Sequence, residues 1–199
     1  MEGTIFTMPV IALRGLTVLP GMTVSFDISR PKSIAAVEKA MVTDQKLCLV
    51  TQRDPEEKSP ELEQLYHAGT IVHVKQLVKM PGGVIRVMVE GLQRAELLAL
   101  DSEEPAMIGE VQETPQDEET GLDYITTEAM VRVLRDQLEE YGRQHPKFAK
   151  EAMPNLLMIQ NLENLMQQIA SELPWDYTIR QSYLEAEDAT GRYETLVVI

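Results

Sequence analysis

A hairpin pattern in the middle of the chain places the strongest constraint on the fold. Residues 69–100 contain two runs rich in β-branched side chains, separated by Pro81, Gly82 and Gly83. This combination predicts two antiparallel strands joined by a turn. In the second run the odd positions from 85 to 89 are all β-branched, which is typical of a strand with one dry face.

The first run, residues 70–80, carries apolar side chains on both faces. We therefore expect a central strand, or a bent strand whose two halves pack against different layers of the fold. Gly91 predicts a break after the second run, and residues 92–100 are expected to resume as a third antiparallel strand. Three such strands predict the core of a curved sheet or small barrel.

Other strands precede and follow this core. Residues 5–14 predict a first strand, with Pro9 at an edge or bulge, and residues 24–28 alternate as a half-buried strand. Between them, Pro20 and Gly21 fit the central positions of a type II turn. Residues 46–52 and 106–112 predict two further strands.

One short helix is expected within this β-rich half. Residues 29–33 resemble a helix start, with a hydroxyl group near the cap and Pro31 in the first turn. Ile34, Val37 and Met41 follow at helical spacing, which predicts an amphipathic helix that covers the sheet.

The period changes from two to 3.6 after residue 123. Two apolar stripes predict long helices, and shorter helices are expected at 179–185 and from 189 onward. The stripes consist of Met130, Leu134, Leu138 and Tyr141, and of Leu162, Leu165, Met166, Ile169 and Leu173. The apolar ending at 196–199 fits either a buried terminal helix or, as we favour, a helix cut from a longer protein.

The net negative charge of the chain lies in its second half. Residues 1–100 hold 11 acidic and 11 basic side chains, whereas residues 101–199 hold 21 acidic and 7 basic ones. This surface repels phosphate backbones and argues against nucleic acid or an anionic membrane as the main partner. The acidic stretch around 115–122 is the predicted linker between domains at 1–114 and 123–199.

The sequence offers no catalytic or metal-binding pattern. His67, His73 and His145 are scattered, and Cys48 lies in an apolar run as an expected core residue. No phosphate-binding loop or nucleophile elbow is present, and no apolar run is long enough for a membrane span. These observations predict a non-catalytic interaction module without cofactor or metal, in the cytoplasm.

Several collinear segments resemble the N-terminal region of bacterial Lon proteases. They are MPVIALRGLTVLPGMTVSFDISRPKSIAAVEKAM, LVTQRD and YHAGTIVHVKQLVKMPGGVIRVMVEGLQRAEL, followed by IASELPWDYTIRQSYLEAEDATGRYETL in the helical half. The resemblance implies an α+β fold, with a PUA-like β-barrel or curved antiparallel sheet and one short helix, followed by an α-helical bundle.

The resemblance also implies a function. Full-length members of that family are ring-forming, ATP-dependent serine proteases that degrade damaged and regulatory proteins. Their ATP, Mg²⁺ and catalytic residues belong to modules expected beyond residue 199, so this part would recognise substrates and support assembly. Two alternatives remain: a stand-alone adaptor of the same domain type, and a PUA-like RNA-binding module, which the lack of a basic patch disfavours.

Two turns in the neutral half carry the predicted binding residues. Leu19, Pro20 and Met22 surround the first turn, and Met80 and Pro81 lie at the hairpin end, where core contacts run out. Methionine adapts to varied apolar partners. We therefore expect these five residues to form one exposed patch that binds unfolded segments of protein substrates.

Overall fold

The computed structural model describes residues 3–102, 104–114 and 121–197. The chain forms two compact units, residues 1–116 and 117–199. Residues 115–120 of the predicted linker lie outside the described residues. The proposed boundaries at 1–114, 115–122 and 123–199 therefore stay a prediction.

A six-stranded sheet with one α-helix makes up the first unit. Along the sheet the strands follow the order β2-β5-β4-β3-β1-β6, and β5 also pairs with β6, which closes five of the strands into a barrel. The predicted α+β fold is confirmed. The elements are β1 (Ile5–Leu13), β2 (Thr23–Ile28), α1 (Pro31–Met41), β3 (Lys46–Thr51), β4 (Ala68–Lys79), β5 (Ile85–Ser102) and β6 (Ile108–Glu113).

One pair of strands departs from the antiparallel arrangement of the sheet. β1 and β3 run parallel, with partners from Val10↔Cys48 to Leu13↔Thr51. The reason is the connection between them, which passes through β2 and α1 and brings the chain back in the same direction.

The predicted strand break at Gly91 is also wrong. β5 runs unbroken from Ile85 to Ser102, and Gly91 instead lets another backbone segment approach. A Cβ atom at this position would lie 2.3 Å from the carbonyl oxygen of Leu19. The Gly21 N–H donates to the Gly91 carbonyl at 2.8 Å, and the Gly91 N–H donates to the Met22 carbonyl at 2.8 Å. The glycine thus docks the first turn onto β5.

The sheet buries apolar side chains on both faces. One cluster packs beneath α1, and the other fills the space enclosed by β1, β3, β4, β5 and β6. In β4, Val72 and Val74 belong to the first cluster and Ile71 to the second, as the apolar residues on both faces of this run predicted.

The start of α1 differs from the expected cap. Pro31 occupies the first helical position as predicted, but Arg30 is the N-cap residue and makes no side-chain cap hydrogen bond. Ala36, Val37 and Ala40 are buried in the cluster beneath the helix. The helix therefore covers the sheet, and its predicted amphipathic role is confirmed.

Helices alone make up the second unit within its described range. They are α2 (Tyr124–Gln144), α3 (Pro146–Glu151), α4 (Met153–Met158), α5 (Leu162–Glu172), α6 (Tyr177–Glu185) and α7 (Ala189–Val197). Met130, Leu134 and Leu138 of α2 and the predicted stripe of α5 are buried. The sequence did not predict α3 and α4, because six residues are too few to show a helical period. Residues 198–199 lie outside the described residues.

Side chains fix the ends of these helices. The carboxylates of Asp123 and Asp176 accept hydrogen bonds from the first-turn amides of α2 and α6. At the other end of α5, the Arg180 guanidinium donates to the carbonyls of Ala170, Ser171 and Leu173. Within the described ranges, no helix is both long and apolar enough to cross a membrane.

Candidate functional site

The first turn (residues 19–22) has the predicted geometry but not the predicted exposure. The Met22 N–H donates to the Leu19 carbonyl at 3.1 Å, and Gly21 has a φ of 79°. Leu19 is fully buried. Met22 packs against the core beneath α1, and its Sδ accepts a hydrogen bond from the Leu19 N–H at 3.3 Å. The methionine of this turn is therefore half-buried and packs against the core.

The hairpin tip (residues 80–84) is open to solvent. The Met80 N–H donates to the Val84 carbonyl at 2.8 Å, which closes the turn, while Gly82 and Gly83 adopt positive φ angles of 78° and 77°. Pro81 is exposed, Met80 is half-buried, and Val78 nearby is 41% exposed. An apolar surface consequently exists at this tip.

The two turns lie at opposite ends of β2. Thr23, which follows the first turn, pairs with Glu90, whereas Ile28 pairs with Ile85 next to the hairpin tip. At about 3.3 Å per residue, the strand separates the two turns by about 20 Å. The expectation that Leu19, Pro20 and Met22 join Met80 and Pro81 in a single patch is therefore wrong, and binding by Met80 and Pro81 stays a prediction.

A cleft lies between β1 and β2. In the described part of the chain, β2 forms a ladder with β5 alone, and residues 10–13 of β1 form a ladder with β3 alone. The second edge of β2 lies outside these ladders. The second edge of β1 is partly occupied, because the Val10 N–H donates to the Met107 carbonyl at 2.9 Å and the Ala12 carbonyl accepts a hydrogen bond from Arg30. Both edges line a cavity of about 220 Å³, bounded by residues 11–14 and 26–30 together with Leu16 and Ser33. A second cavity, of about 150 Å³, adjoins it, and the two share Ala12, Arg30 and Ser33.

Arg30 spans the junction of the two cavities. Its Nη1 donates to Oε1 of Gln52 at 2.8 Å, and its Nη2 donates to the carbonyl oxygen of Ala12. Gln52 is fully buried and donates in turn to the carbonyls of Asp54 and Glu57, at 3.1 and 2.9 Å. These bonds hold the loop after β3 beside the start of α1.

The charge at this junction is positive. Burial, followed by the nearby charge of Arg14, lowers the pKa of Arg30. Among the described residues, no carboxylate forms an ion pair with Arg14 or Arg30. Asp27, which also lines the cleft, is instead bound by both Nε and Nη2 of Arg86, which lowers the pKa of its carboxyl group.

Sequence reasoning missed this cleft. The only local sequence feature that points to the cleft is Arg30, which directly precedes Pro31 at the start of α1. The partners of Arg30, Ala12 and Gln52, lie in other strands, and only the barrel brings them together. Ser33 lies within α1, where it is 6% exposed and lines both cavities.

The remaining candidate residues have structural roles. Cys48 is fully buried in the barrel interior, and burial raises the pKa of its thiol to about 12, so the predicted core role is confirmed. His145 stacks on Tyr141 with ring centroids 3.9 Å apart. In the ranges that the structure describes, His, Cys, Asp and Glu form no group of three that could hold a metal ion.

Comparison with known proteins places the chain in a family. The model of the ATP-dependent protease La (LON) substrate-binding domain matches residues 7–199. Lon protease of Lachnoclostridium phytofermentans is 39% identical over 192 residues, and Lon protease of Desulforamulus reducens is 35% identical over 196 residues. The alignments cover 96% and 98% of this chain but 24% of each relative, so the chain spans about a quarter of their length.

Solved structures share the fold. The N-terminal domain of Mycobacterium avium complex Lon protease superposes with a TM-score of 0.76, at 22% identity and 97% coverage of both chains. A Lon N-terminal domain protein from Xanthomonas campestris gives a TM-score of 0.67 at 18% identity, with 97% of this chain and 98% of that chain covered. The collinear match along the sequence and the shared architecture agree, and the chain belongs to the family of Lon substrate-binding domains.

Proposed function

We propose that this chain binds unfolded segments of client proteins on behalf of an ATP-dependent serine protease, and that it is not catalytic by itself. The observation that carries the proposal is the match of residues 7–199 to a substrate-binding domain. The relatives named Lon protease are about four times as long as the matched region. Their name and length support a role for this chain as one part of a larger protease. Damaged and regulatory proteins are the proposed clients, and self-association belongs to the full-length protein.

The proposal includes a cytoplasmic location and excludes nucleic acid as a partner. A single cysteine that is fully buried fits a reducing compartment, where disulfides are rare. The open cleft of the first unit does contain arginines, but the chain as a whole carries a net charge of -14, which opposes contact with phosphate backbones.

The hairpin tip supports the binding role. Val78, Met80 and Pro81 present apolar surface at the end of a protruding hairpin. Unfolded segments expose apolar side chains of many shapes, and the flexible methionine side chain can pack against different ones. Each such contact is small, so we expect binding that is broad in specificity and moderate in affinity.

The test is binding of a permanently unfolded protein, such as a reduced and alkylated one, to the 199-residue chain. Replacing Met80 and Pro81 together by serine should weaken binding several-fold, because the tip loses its apolar surface. The melting temperature should barely change, because Pro81 is exposed and the half-buried Met80 belongs to neither core cluster, and side chains away from the core contribute about 0.5 kcal/mol or less. Fluorescence anisotropy and thermal unfolding measure the two quantities.

The matched control is Val42→Ser, which removes an apolar side chain that is 83% exposed at the end of α1. This variant should bind the unfolded protein as well as the parent chain does. Equal weakening by both variants would count against a specific role of the tip. Turnover of ATP or peptide by the pure chain would contradict the non-catalytic part of the proposal.

A further inference from the structure

The outer edge of β4 is covered along only part of its length. β3 pairs with residues 70–73 of β4, and the last main-chain bond on this side runs from the Val74 N–H to the Gln45 carbonyl at 2.8 Å. Gln45 has a φ of 61° and lies where the chain enters β3. Among the described residues, no ladder or other main-chain hydrogen bond is made on this side of residues 75–79. The end of β4 therefore has an open edge.

The ladder with β5 shows which main-chain groups this edge offers. The Met80 N–H donates to the Val84 carbonyl, and pairing with β5 continues back along β4 from there. Because hydrogen-bonded pairs alternate in an antiparallel ladder, positions 76, 78 and 80 direct their main-chain groups toward β5. Leu77 and Lys79 consequently direct their N–H and C=O groups outward. The open edge thus offers two donors and two acceptors in a row.

The side chains beside this edge are apolar on both faces and carry one unbalanced charge. Leu77 is half-buried and packs against the cluster beneath α1, whereas Val78 on the opposite face is 41% exposed. Lys75 is paired with Glu90, but Lys79 forms no ion pair within the described ranges. A strand added here would therefore meet an apolar neighbour on each face and a positive charge.

The lysines argue against a second copy of this chain as the occupant. Lysines on an open edge oppose edge-to-edge association, and joining two such edges would bring Lys75 and Lys79 of both copies together.

An unfolded segment of another protein has no such conflict. Its main-chain groups are bonded only to water, and an acidic residue in it can face Lys79. Main-chain hydrogen bonds form with almost any sequence, so they suit a domain that binds varied clients. The open edge also leads directly into the apolar hairpin tip at Met80 and Pro81. The occupant that fits this edge is therefore an extended segment of a client.

We infer that the outer edge of residues 75–79 binds an extended segment of a client protein as an additional β-strand. The segment continues the line of β3 along β4 and forms main-chain hydrogen bonds with Leu77 and Lys79. One of its side chains packs against Val78, and an acidic side chain lies beside Lys79. The inference rests on the proposed function and specifies how the hairpin holds a client.

The first test compares two forms of one labelled ten-residue peptide in which valine alternates with threonine and glutamate. One form is unmodified, and the other carries N-methyl groups on its four central amides. The methylated form keeps every side chain but loses the main-chain donors that an added strand needs. We expect the 199-residue chain to bind the unmodified form about tenfold more tightly. Fluorescence anisotropy gives both dissociation constants.

A substitution at Lys79 locates the effect. Lys79→Pro removes an outward N–H and leaves the bonds of positions 78 and 80 to β5, as proline on an edge strand does. Binding of the peptide and of an unfolded protein should fall about fivefold. The matched control Lys79→Thr removes the same charge but keeps the N–H, so binding should fall no more than about twofold. Thermal unfolding shows whether both variants fold, and the methylated peptide tests the parent chain independently of them.

The outcomes separate this inference from the proposed function. If an unfolded protein binds but the two peptides bind equally or not at all, the inference is wrong and the proposed function stands. Equal binding by folded Lys79→Pro and Lys79→Thr would also contradict the inference. If neither peptide nor unfolded protein binds, both are wrong. A dimer of the parent chain in sedimentation velocity, abolished by Lys79→Pro, would show that the edge pairs two copies and would overturn the assignment to a client.

Discussion

The first turn and the hairpin tip share a Pro-Gly pair and a methionine, yet their surroundings differ. In the first turn, Leu19 is fully buried and Met22 packs against the core beneath α1. At the tip, Pro81 is exposed and Gly82 and Gly83 have open space where a side chain would be. A similar local sequence thus serves the core in one place and the surface in the other.

The difference lies in the strand that each turn meets. The first turn lies on β5 at Gly91, where the missing side chain lets the two backbones form hydrogen bonds of 2.8 Å in both directions. The hairpin tip extends past the end of β2, where Ile28 pairs with Ile85 and the ladder stops. Exposure of a turn is therefore decided by residues distant in sequence.

The largest effect is expected from Gly91→Ala. The new Cβ would lie 2.3 Å from the carbonyl oxygen of Leu19 and 3.2 Å from Cα of Pro20, and both are backbone atoms. Because backbone cannot rotate away as a side chain can, we expect a loss of about 3 kcal/mol in the free energy of unfolding.

Urea unfolding followed by circular dichroism measures this loss. The single tryptophan, Trp175, lies in the second unit, so its fluorescence reports directly on that unit. A loss below about 1 kcal/mol would mean that the first turn can move off β5 at little cost, and its burial would then not depend on Gly91.

Met22→Ser should have a smaller effect and separates the two methionines. Met22 packs against the buried cluster of α1 and the sheet, so the substitution leaves unfilled space next to a hydroxyl group. We expect a loss of about 2 kcal/mol, and less than about 0.5 kcal/mol for the control Met80→Ser. Thermal unfolding of both variants tests the contrast, and equal values would mean that the two methionines have similar environments.

Local periodicity predicted most of the secondary structure. Alternation located β2 and the first part of β5, apolar content located β1 and β3, and helical spacing located α1, α2 and α5, because each periodic pattern reflects which neighbours along the chain share a face. The short helices α3 and α4 gave no such signal. Gly91 was misread because a glycine in a strand can mean either a break or a close approach.

The candidate site was less predictable because it depends on contacts between distant segments. The parallel pairing of β1 and β3 leaves one edge of residues 10–13 outside the sheet ladders, and the position of β2 forms the other side of the cleft. Ser33 is 6% exposed although its sequence context is that of a surface helix start. The hairpin tip, by contrast, was identified from Pro81, Gly82 and Gly83 alone.

The smallest effect is expected at the hairpin tip, from Gly82→Ala. Gly82 has a φ of 78°, and a Cβ atom there would have no neighbour within 4 Å. The substitution therefore adds backbone strain without a clash, and we expect a loss of about 1 kcal/mol in the free energy of unfolding.

Gly82→Asn is the matched variant, because asparagine enters the left-handed region more easily than alanine, and its loss should be about half as large. Urea midpoints at an unchanged m-value give both numbers. A loss as large as that of Gly91→Ala, or no difference between alanine and asparagine, would mean that side-chain contacts, and not backbone conformation, determine the stability of the tip. That result would contradict the difference between the two turns.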